Sequence, residues 1–491
     1  MAYRIEIALL TFVFVFMGNV LSAPKERTTY FASDEHELIG NKIHFPREPG
    51  MNTTLTLPNG IQLTFGEIIS LAGDFFTSNE PIISVQGKEE KPDNVCKTES
   101  KKNPDNVIET ENKEKPESAK ETENNKEPNE ITLIENRKEP NEVITAKTEN
   151  KKRPKEAFKT ENKKNPNEVN TVKPENKKEP NDASKTGNNE EPNEVFKAET
   201  EDRKVTPEER KRFMAAYGTL AYVPRQKIQK EVAKLVRMIG EDLLVREYKN
   251  GSIHTNAQYT LATNGRMLKL AATNFDHFQP QAPKAYLIGH LLALEKAREA
   301  AKEENPDMKK QKLNEALSMD CFACHFLTDC FSSGHIRTPR VKLHFQIILS
   351  GIGDLLSKYM HDEDCKFGLR VKNKRGDKWN AYGDGYLIKT GDKDNFQLVV
   401  EAANTSAYQV LEAYKNPDRE INSDTVMNLI PFVDPDAENN TPLFQIKDGK
   451  LHVRVDLDDL QSKKISPKWT GVGRVAKLAF YKPKNSALSP A

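Results

Sequence analysis

The chain has 491 residues, of which 36% are hydrophobic and 30% are charged, and its mean hydropathy is −0.72. This polar composition predicts that part of the chain is disordered while the rest folds around a core. Because 74 basic residues nearly balance 73 acidic ones, a strongly basic nucleic-acid binder and an acidic matrix polymer are both disfavoured. The five cysteines are too few for a dense disulfide scaffold.

The N-terminus has the charge, apolar core and small residues of a secretory signal peptide. Arg4 precedes an apolar run that ends near Met17, and the small residues Ser22 and Ala23 follow it. The run is short for a membrane anchor, so we predict a signal peptide over 1–22 and a secreted, extracellular protein with no transmembrane segment. Four glycosylation sequons suit this route, at Asn52, Asn250, Asn404 and Asn439.

A long repeat segment divides the rest of the chain. Residues 23–86 are predicted to begin the folded domain, and from 87 to 204 motifs such as KPDNV and KEPNEV recur at steps of 12 or 14 residues. Stacked repeats need an apolar face, which units rich in Lys, Glu, Asn and Pro do not offer, so we predict a disordered insert. The alternative is a repeat that binds mineral or another polymer, and its partner is unknown. Cys96 within it is either a free thiol or part of an intermolecular disulfide.

The segment from 205 to 420 has mostly helical periodicity. Thr206 is a predicted N-cap and Pro207 the first helical residue. His290 lies on an aliphatic helix face and is predicted to be a core histidine. Further helical patterns span Gln226–Glu247, Pro283–Glu303, Met308–Phe331, Val341–Met360 and Asn395–Ala413.

The C-terminal extension, 421–491, contains alternating residues that predict a β-hairpin turning at Asp448-Gly449. The fold predicted from the whole chain is therefore mainly α, with several helices, a small C-terminal β element and one long disordered insert.

One segment concentrates side chains that can bind a metal. His325 and Asp329 are four residues apart, so they share one face of the predicted helix and can hold a single ion. Gly334 can end that helix and let His335 turn back toward the same site. Histidine combined with aspartate favours zinc over calcium or magnesium. The alternative is an ordinary amphipathic helix with a capped histidine.

Further histidines and acids occur in other segments, at His36, Asp74, His277 and His361. Singly, each is more typical of a surface residue or a helix cap. Their order along the chain, together with the motifs AGDFF and HFLTD, resembles that of the zinc-dependent phospholipase C and P1-type nuclease superfamily. The resemblance covers about 30–85 and 205–370. The segments FGEIISLAGDFF, FSSGHIRTPR, MHDEDCKFGL and WNAYGDGYL look most similar to a secreted bacterial phospholipase C-like branch.

The resemblance implies a multi-helix catalytic domain, formed by 23–86 and 205–420, that hydrolyses phosphodiester bonds with two or three zinc ions. The implied substrate is a phospholipid headgroup or another phosphodiester, met transiently at a membrane surface. Asp74 is implied to be the general base. The implied zinc ligands are His36, Asp74, His277, His325, Asp329, His335 and His361.

Two positions depart from the family pattern. The family's remaining acid follows the last ligand histidine by one helical turn, but Cys365 stands there, so Asp364 or Glu363 would have to substitute. The family's N-terminal tryptophan, whose amine binds metal, is also absent, because Ala23 or Pro24 would begin the mature chain.

The loop after His335 carries two arginines, and we predict that Arg337 and Arg340 clamp a substrate phosphate through bidentate hydrogen bonds, although loop arginines often face solvent instead.

Three other functions stay open: a P1-type nuclease, a non-catalytic secreted structural or matrix protein on a metalloenzyme scaffold, and the haem attachment suggested by the CxxCH motif that ends at His325. We expect Cys321, Cys324 and Cys330 to be small helix residues, one of which could bridge Cys365.

Overall fold

The protein is represented by a computed structural model that describes residues 33–43, 54–85, 203–249, 252–347, 349–387 and 393–490. The predicted signal peptide, the repeats of the predicted insert, Cys96 and the sequons at Asn52 and Asn250 lie outside the described residues. All described residues belong to one unit of the chain.

The described part of the chain is mainly helical with a few small sheets, as the sequence predicts. The helices are α1 (Ser33–Gly40), α2 (Phe65–Leu71), α3 (Pro207–Ala221), α4 (Arg225–Lys249), α5 (Asn256–Ala262), α6 (Arg266–Ala272), α7 (Gln281–Lys302), α8 (Pro306–Asp329), α9 (Ser333–Ile336), α10 (Arg340–Gln346), α11 (Ser350–Phe367), α12 (Lys393–Lys415), α13 (Asp424–Met427) and α14 (Gly471–Leu478). In the described ranges a 3-10 turn spans Phe275–His277.

Short antiparallel strands make three sheets in these ranges, β1–β2, β4–β3–β5 and β6–β7–β8. The strands are β1 (Thr54–Thr56), β2 (Gln62–Thr64), β3 (Leu369–Lys372), β4 (Lys378–Ala381), β5 (Phe432–Val433), β6 (Phe444–Lys447), β7 (Lys450–Arg454) and β8 (Ile465–Ser466). The predicted hairpin is confirmed, since β6 and β7 turn at Asp448 and Gly449. Both of these residues have positive φ angles, as a two-residue hairpin turn of this kind requires.

Most predicted helices occur within two or three residues of their expected ends. Thr206 caps α3 through a capping box with Glu209, as its position before Pro207 predicts. The single helix predicted over Val341–Met360 is wrong, because α10 and α11 are separate helices. They pack closely where Gly353 meets the main chain of Leu343, a contact that an added Cβ would block.

Helices α7 and α8 form the centre of the fold and pack against each other along their length, with α12 against both. Every residue of α8 from Ala316 to Asp329 is buried, whereas its first turns are not. Helices α1 and α2 cover this buried end of α8. Burial of each large apolar side chain stabilises such a core by roughly 1.5–3 kcal/mol. The end of α8 that carries His325 and Asp329 is therefore enclosed by well-packed elements.

A buried polar network ties α7, α8 and α12 together. The Nδ1 atom of His290 lies 2.7 Å from Asp320 Oδ1, and its Nε2 atom lies 2.8 Å from Gln409 Oε1. Ser406 donates a further hydrogen bond to Asp320. Both ring nitrogens of His290 are thus paired inside the core, which confirms the prediction of a structural histidine.

The C-terminal extension packs on α11 through a second apolar cluster. Val475 and Leu478 of α14 join Leu355 and Met360 of α11 there. No helix in the described ranges combines the length and the apolar character that a bilayer crossing requires.

Candidate metal centre

Asp329, at the C-terminal end of α8, stands at the centre of a group of histidines. His325 lies one turn earlier on the same face, and its Nε2 atom is 3.4 Å from Asp329 Oδ2. The two side chains are 0% and 2% exposed. Three more imidazoles approach the carboxylate at 3.0–3.5 Å, from His36, His277 and His335.

Three groups of His and Asp side chains are positioned to hold metal ions, with the ligand atoms of each group within 4.8 Å of one another. The first group is His36, His325 and Asp329, the second is Asp74, His277 and His325, and the third is His335, His361 and Asp384. All seven ligands expected from the sequence are brought into these groups, which come from segments as far apart as α1 and α11.

Hydrogen bonds orient the imidazoles of the first group. His325 Nδ1 lies 3.0 Å from the carbonyl oxygen of Ile69 in α2, so this nitrogen carries the proton, and Nε2 is the acceptor, 3.3 Å from His277 Nδ1. His36 Nδ1 lies 2.7 Å from Thr328 Oγ1, whose own proton goes to main-chain carbonyls. Its Nε2 atom therefore faces Asp329 Oδ1 at 3.5 Å; burial acts to lower the pKa of this imidazole, but Asp329 raises it to about 9, so Nε2 becomes a metal ligand when it gives up its proton. Such outer contacts fix the tautomer that a metal ligand needs.

The second group depends on the glycine in the AGDFF motif. Gly73 has a φ angle of +66°, and a Cβ there would overlap the His325 ring and lie 2.9 Å from His277 Cε1. Glycine is required because it allows both the left-handed conformation and the close approach. The turn places Asp74 beside His277, with Oδ1 4.0 Å from Nδ1, and Ser33 donates a hydrogen bond to Oδ2.

The third group obtains its carboxylate from Asp384, which the sequence analysis did not identify. Asp384 Oδ2 lies 3.2 Å from His361 Nε2 and 3.8 Å from His335 Nε2. Ser332 donates a hydrogen bond of 2.7 Å to Oδ1. The only sequence signal for this residue is its position between two glycines in the segment WNAYGDGYL, which carried part of the family resemblance.

The substitutes proposed for the missing acid are wrong. Both oxygens of Asp364 accept hydrogen bonds from Arg337, and both oxygens of Glu363 accept hydrogen bonds from the buried Arg454. The two carboxylates point away from the histidines because these arginines hold them.

The side chain of Cys365 is closely confined by two glycines. A Cβ on Gly334 would lie 2.5 Å from its Sγ atom, and one on Gly383 would overlap it. A longer side chain at position 365 would therefore collide with two main-chain segments. The four described cysteines, Cys321, Cys324, Cys330 and Cys365, are all free thiols, so the suggested bridge to Cys365 is wrong. The CxxCH cysteines are buried in the core, as expected for small helix residues.

The loop that carries Asp384 is fixed by charged residues of α1 and α4. The Glu35 carboxylate accepts hydrogen bonds from the main-chain N–H groups of Gly385 and Leu387 at 3.0 and 3.1 Å. Arg246 donates to the Gly385 carbonyl and pairs with both oxygens of Asp34. Because Glu35 precedes the ligand His36, one short helix positions residues of the first and third groups.

The two loop arginines do not form the predicted phosphate clamp. Arg337 is paired with Asp364 and donates to the carbonyl of Asn440. Arg340 donates to Asn274, Asp354 and two carbonyls at the end of α6. Their guanidinium donors are already used inside the protein, so this prediction is corrected to a structural role for both residues.

The side chains present fit metal ions. Asp329 Oδ2 and His335 Nδ1 are buried and form no well-directed hydrogen bond, although His277 Nδ1 lies 3.0 Å from the first and Asp329 Oδ1 lies 3.2 Å from the second; buried polar atoms normally form one. Burial lowers the pKa of His325 well below its ordinary value, which leaves the neutral imidazole that binds metal. Burial acts to raise the pKa of Asp329, but three surrounding histidines hold it well below its ordinary value. Burial acts to lower the pKa of His36 and His277, but Asp329 raises both, so these two imidazoles release a proton when they bind a metal. Imidazoles combined with carboxylates suit zinc.

Searches against family models, curated proteins and solved structures found no match to this chain. The function of this chain is therefore inferred from the arrangement of its own residues.

Proposed function

We propose that this protein is a secreted, zinc-dependent phosphodiesterase of phospholipase C type that hydrolyses the headgroups of phospholipids. The proposal is supported above all by the three adjoining groups of His and Asp side chains around Asp329. A phosphodiester places negative charge on neighbouring oxygens, and several closely spaced cations are the means by which such hydrolases stabilise it.

The residues of the three groups would hold two or three zinc ions. When bound, these ions supply an activated water and neutralise the charge that develops on the phosphoryl oxygens. Asp329 and His325 lie where the first and second groups meet, so they would set the spacing between two ions. Ser332 fixes the carboxylate of Asp384, and Glu35 fixes its loop.

Asp74 is the proposed general base. Its Oδ1 atom faces His277 in the second group, while Oδ2 accepts the Ser33 hydrogen bond away from that group. A carboxylate arranged in this way can contact an ion through one oxygen and accept a proton through the other.

The proposal is tested by measuring bound zinc and phosphocholine release by the purified full chain. His325→Ala should lose zinc from two groups and abolish release, since His325 belongs to both. His452→Ala is the matched control, because His452 lies on β7 outside the three groups. A wild-type protein without bound zinc, or unchanged release by His325→Ala, would contradict the proposal.

The same assay separates the alternative functions. Single-stranded DNA digested in a zinc-dependent manner, with phospholipids left intact, would assign the nuclease function instead. Bound zinc without turnover of either substrate would assign a structural role.

A further inference from the structure

The C-terminal end of the chain has a strongly one-sided charge. Residues 463–491 contain seven basic side chains and no Asp or Glu, although the whole chain has a net charge of +1. The seven are Lys463, Lys464, Lys468, Arg474, Lys477, Lys482 and Lys484. The charge of this segment is therefore +7, and most of it surrounds α14.

Helix α14 presents an apolar face to solvent as well as one to the core. Val475 and Leu478 pack against α11 and are 5% and 2% exposed, whereas Val472 is 64% exposed and Phe480, just beyond the helix, is 78% exposed. Val472, the exposed Ala476 and Phe480 recur every four residues, on the side away from the core. We refer to these three residues as the outer face of α14.

The lysines around the outer face are available to a partner. Lys468, Lys477, Lys482 and Lys484 are exposed and form no ion pair with any residue that the structure describes. Lys464 pairs with Asp456 at 3.4 Å. The nearby acid Asp458 accepts a hydrogen bond from the main-chain N–H of Lys482 and forms no ion pair with the ammonium group of that lysine.

The connection between α10 and α11, which contacts the start of α14, carries further exposed apolar side chains. Ile347 lies against Gly471, at 3.0 Å from a Cβ built there, and Phe345 and Leu349 on either side of Ile347 are 45% and 43% exposed. Phe345 also stacks on Phe275 with ring centroids 5.6 Å apart. Phe275 begins the 3-10 turn that ends at the ligand His277, so this surface adjoins the elements of the candidate metal centre.

We propose that the outer face of α14, with its flanking lysines, docks the protein on an anionic phospholipid surface. Aliphatic and aromatic side chains that insert between headgroups, surrounded by lysines, are the combination that binds such an interface. A nucleic acid would be met instead by charge with stacking aromatics or base-edge donors, which Val472 and Ala476 do not supply. This docking surface rests on the proposed function, because it would hold the protein on the phospholipids that it hydrolyses. Docking itself does not require turnover.

Docking is tested by sedimentation of the full chain with vesicles. The wild type should bind vesicles of phosphatidylcholine with phosphatidylserine, bind pure phosphatidylcholine much more weakly, and be released by high salt. Lys477→Gln with Lys482→Gln should weaken binding about 25-fold, and Phe480→Ser at least about tenfold. Leu261→Ser on α5 is the matched control, because Leu261 is 75% exposed and distant in sequence.

Three outcomes would overturn the docking surface: equal binding to both kinds of vesicle, wild-type binding by Phe480→Ser, or tighter binding to a single-stranded oligonucleotide than to anionic vesicles. The experiment also distinguishes the two proposals. His325→Ala, checked for folding by circular dichroism, should still bind vesicles, and Phe480→Ser should still release phosphocholine from a soluble short-chain substrate. Release without vesicle binding would refute docking alone, and vesicle binding without zinc or release would refute the proposed function alone.

Discussion

Asp384→Asn provides the sharpest test of how the third group is completed. Asparagine keeps the shape of the side chain and an oxygen that can accept the Ser332 hydrogen bond, but it removes the negative charge beside His335 and His361. We expect the mutant to fold and to bind one metal ion fewer than the wild type, because two imidazoles alone hold zinc weakly.

The size of the effect follows from the role of the carboxylate. Disturbing even an outer partner of a metal ligand costs about 10–100-fold in affinity. Loss of a charged ligand should therefore cost at least about 1.4–2.8 kcal/mol of zinc binding at this group. The free energy of unfolding of the metal-free protein should also fall, because the mutant keeps the Ser332 contact but loses the charge that lies 3.2 Å from His361.

Asp364→Asn is the matched control, because Asp364 was, with Glu363, one of the two acids that could have substituted for the missing ligand. Its carboxylate is 2% exposed and pairs with Arg337, and breaking such a buried pair costs roughly 3–5 kcal/mol. This mutant should unfold at a lower temperature yet retain the third ion. Zinc titration and thermal unfolding of chelator-treated protein measure the two effects separately. Full metal content in Asp384→Asn, or loss of one ion in Asp364→Asn alone, would refute the assignment.

Three further substitutions test the supporting contacts. Glu35→Gln should weaken the third ion about 10–100-fold, because an amide cannot accept from both main-chain N–H groups of the Asp384 loop; competition with a chromophoric chelator measures this. Gly73→Ala should cost at least about 1–3 kcal/mol from its φ angle and overlap with His325, measured by thermal unfolding, and wild-type stability would contradict the proposed close approach. Cys365→Glu should destabilise by about 1–3 kcal/mol without adding a ligand, measured by urea unfolding and zinc titration.

The parts of the centre that could be predicted are those that local geometry determines. The spacing of His325 and Asp329 places both on one helical face whatever surrounds the helix, and the structure brings this pair into the first of the three groups. A capping pattern likewise placed the start of α3 correctly. Bringing His36 and His277 to the same carboxylate, by contrast, depended on the family resemblance, because no local rule relates segments that are hundreds of residues apart.

Asp384 could not be predicted because an antiparallel hairpin carries it into position. Strand β3 follows α11 directly and pairs with β4, so that Leu369 lies opposite Ala381. The chain thus returns to the end of α11, where the N–H of Gly383 donates to the Cys365 carbonyl. Asp384, 23 residues after His361, consequently occupies the space that a longer side chain at position 365, one helical turn after His361, would otherwise fill.

The arginine predictions failed for a related reason. Sequence proximity to His335 suggested that Arg337 faces a bound phosphate, but the direction of its side chain is set by the buried Asp364, which lies on another helix. A buried carboxylate is costly to leave without a paired cation. Asp364 therefore determines the direction of the Arg337 guanidinium group. Partner choice of this kind depends on tertiary contacts, so a spacing argument alone cannot decide it.

The repeat segment is compatible with an intact metal centre because residues just before it contact residues that follow it in the chain. The N–H groups of Ile82 and Ile83, before the repeats, donate to the carboxylate of Asp276 at 2.6 and 3.1 Å, and Asp276 adjoins the ligand His277. Glu80 also lies 3.7 Å from Arg212 of α3, after the repeats. Loop-closure entropy rises only logarithmically, by about 0.6 kcal/mol for each doubling of length. Local contacts at the two flanks can therefore keep Asp74 beside His277 regardless of how long the intervening segment is.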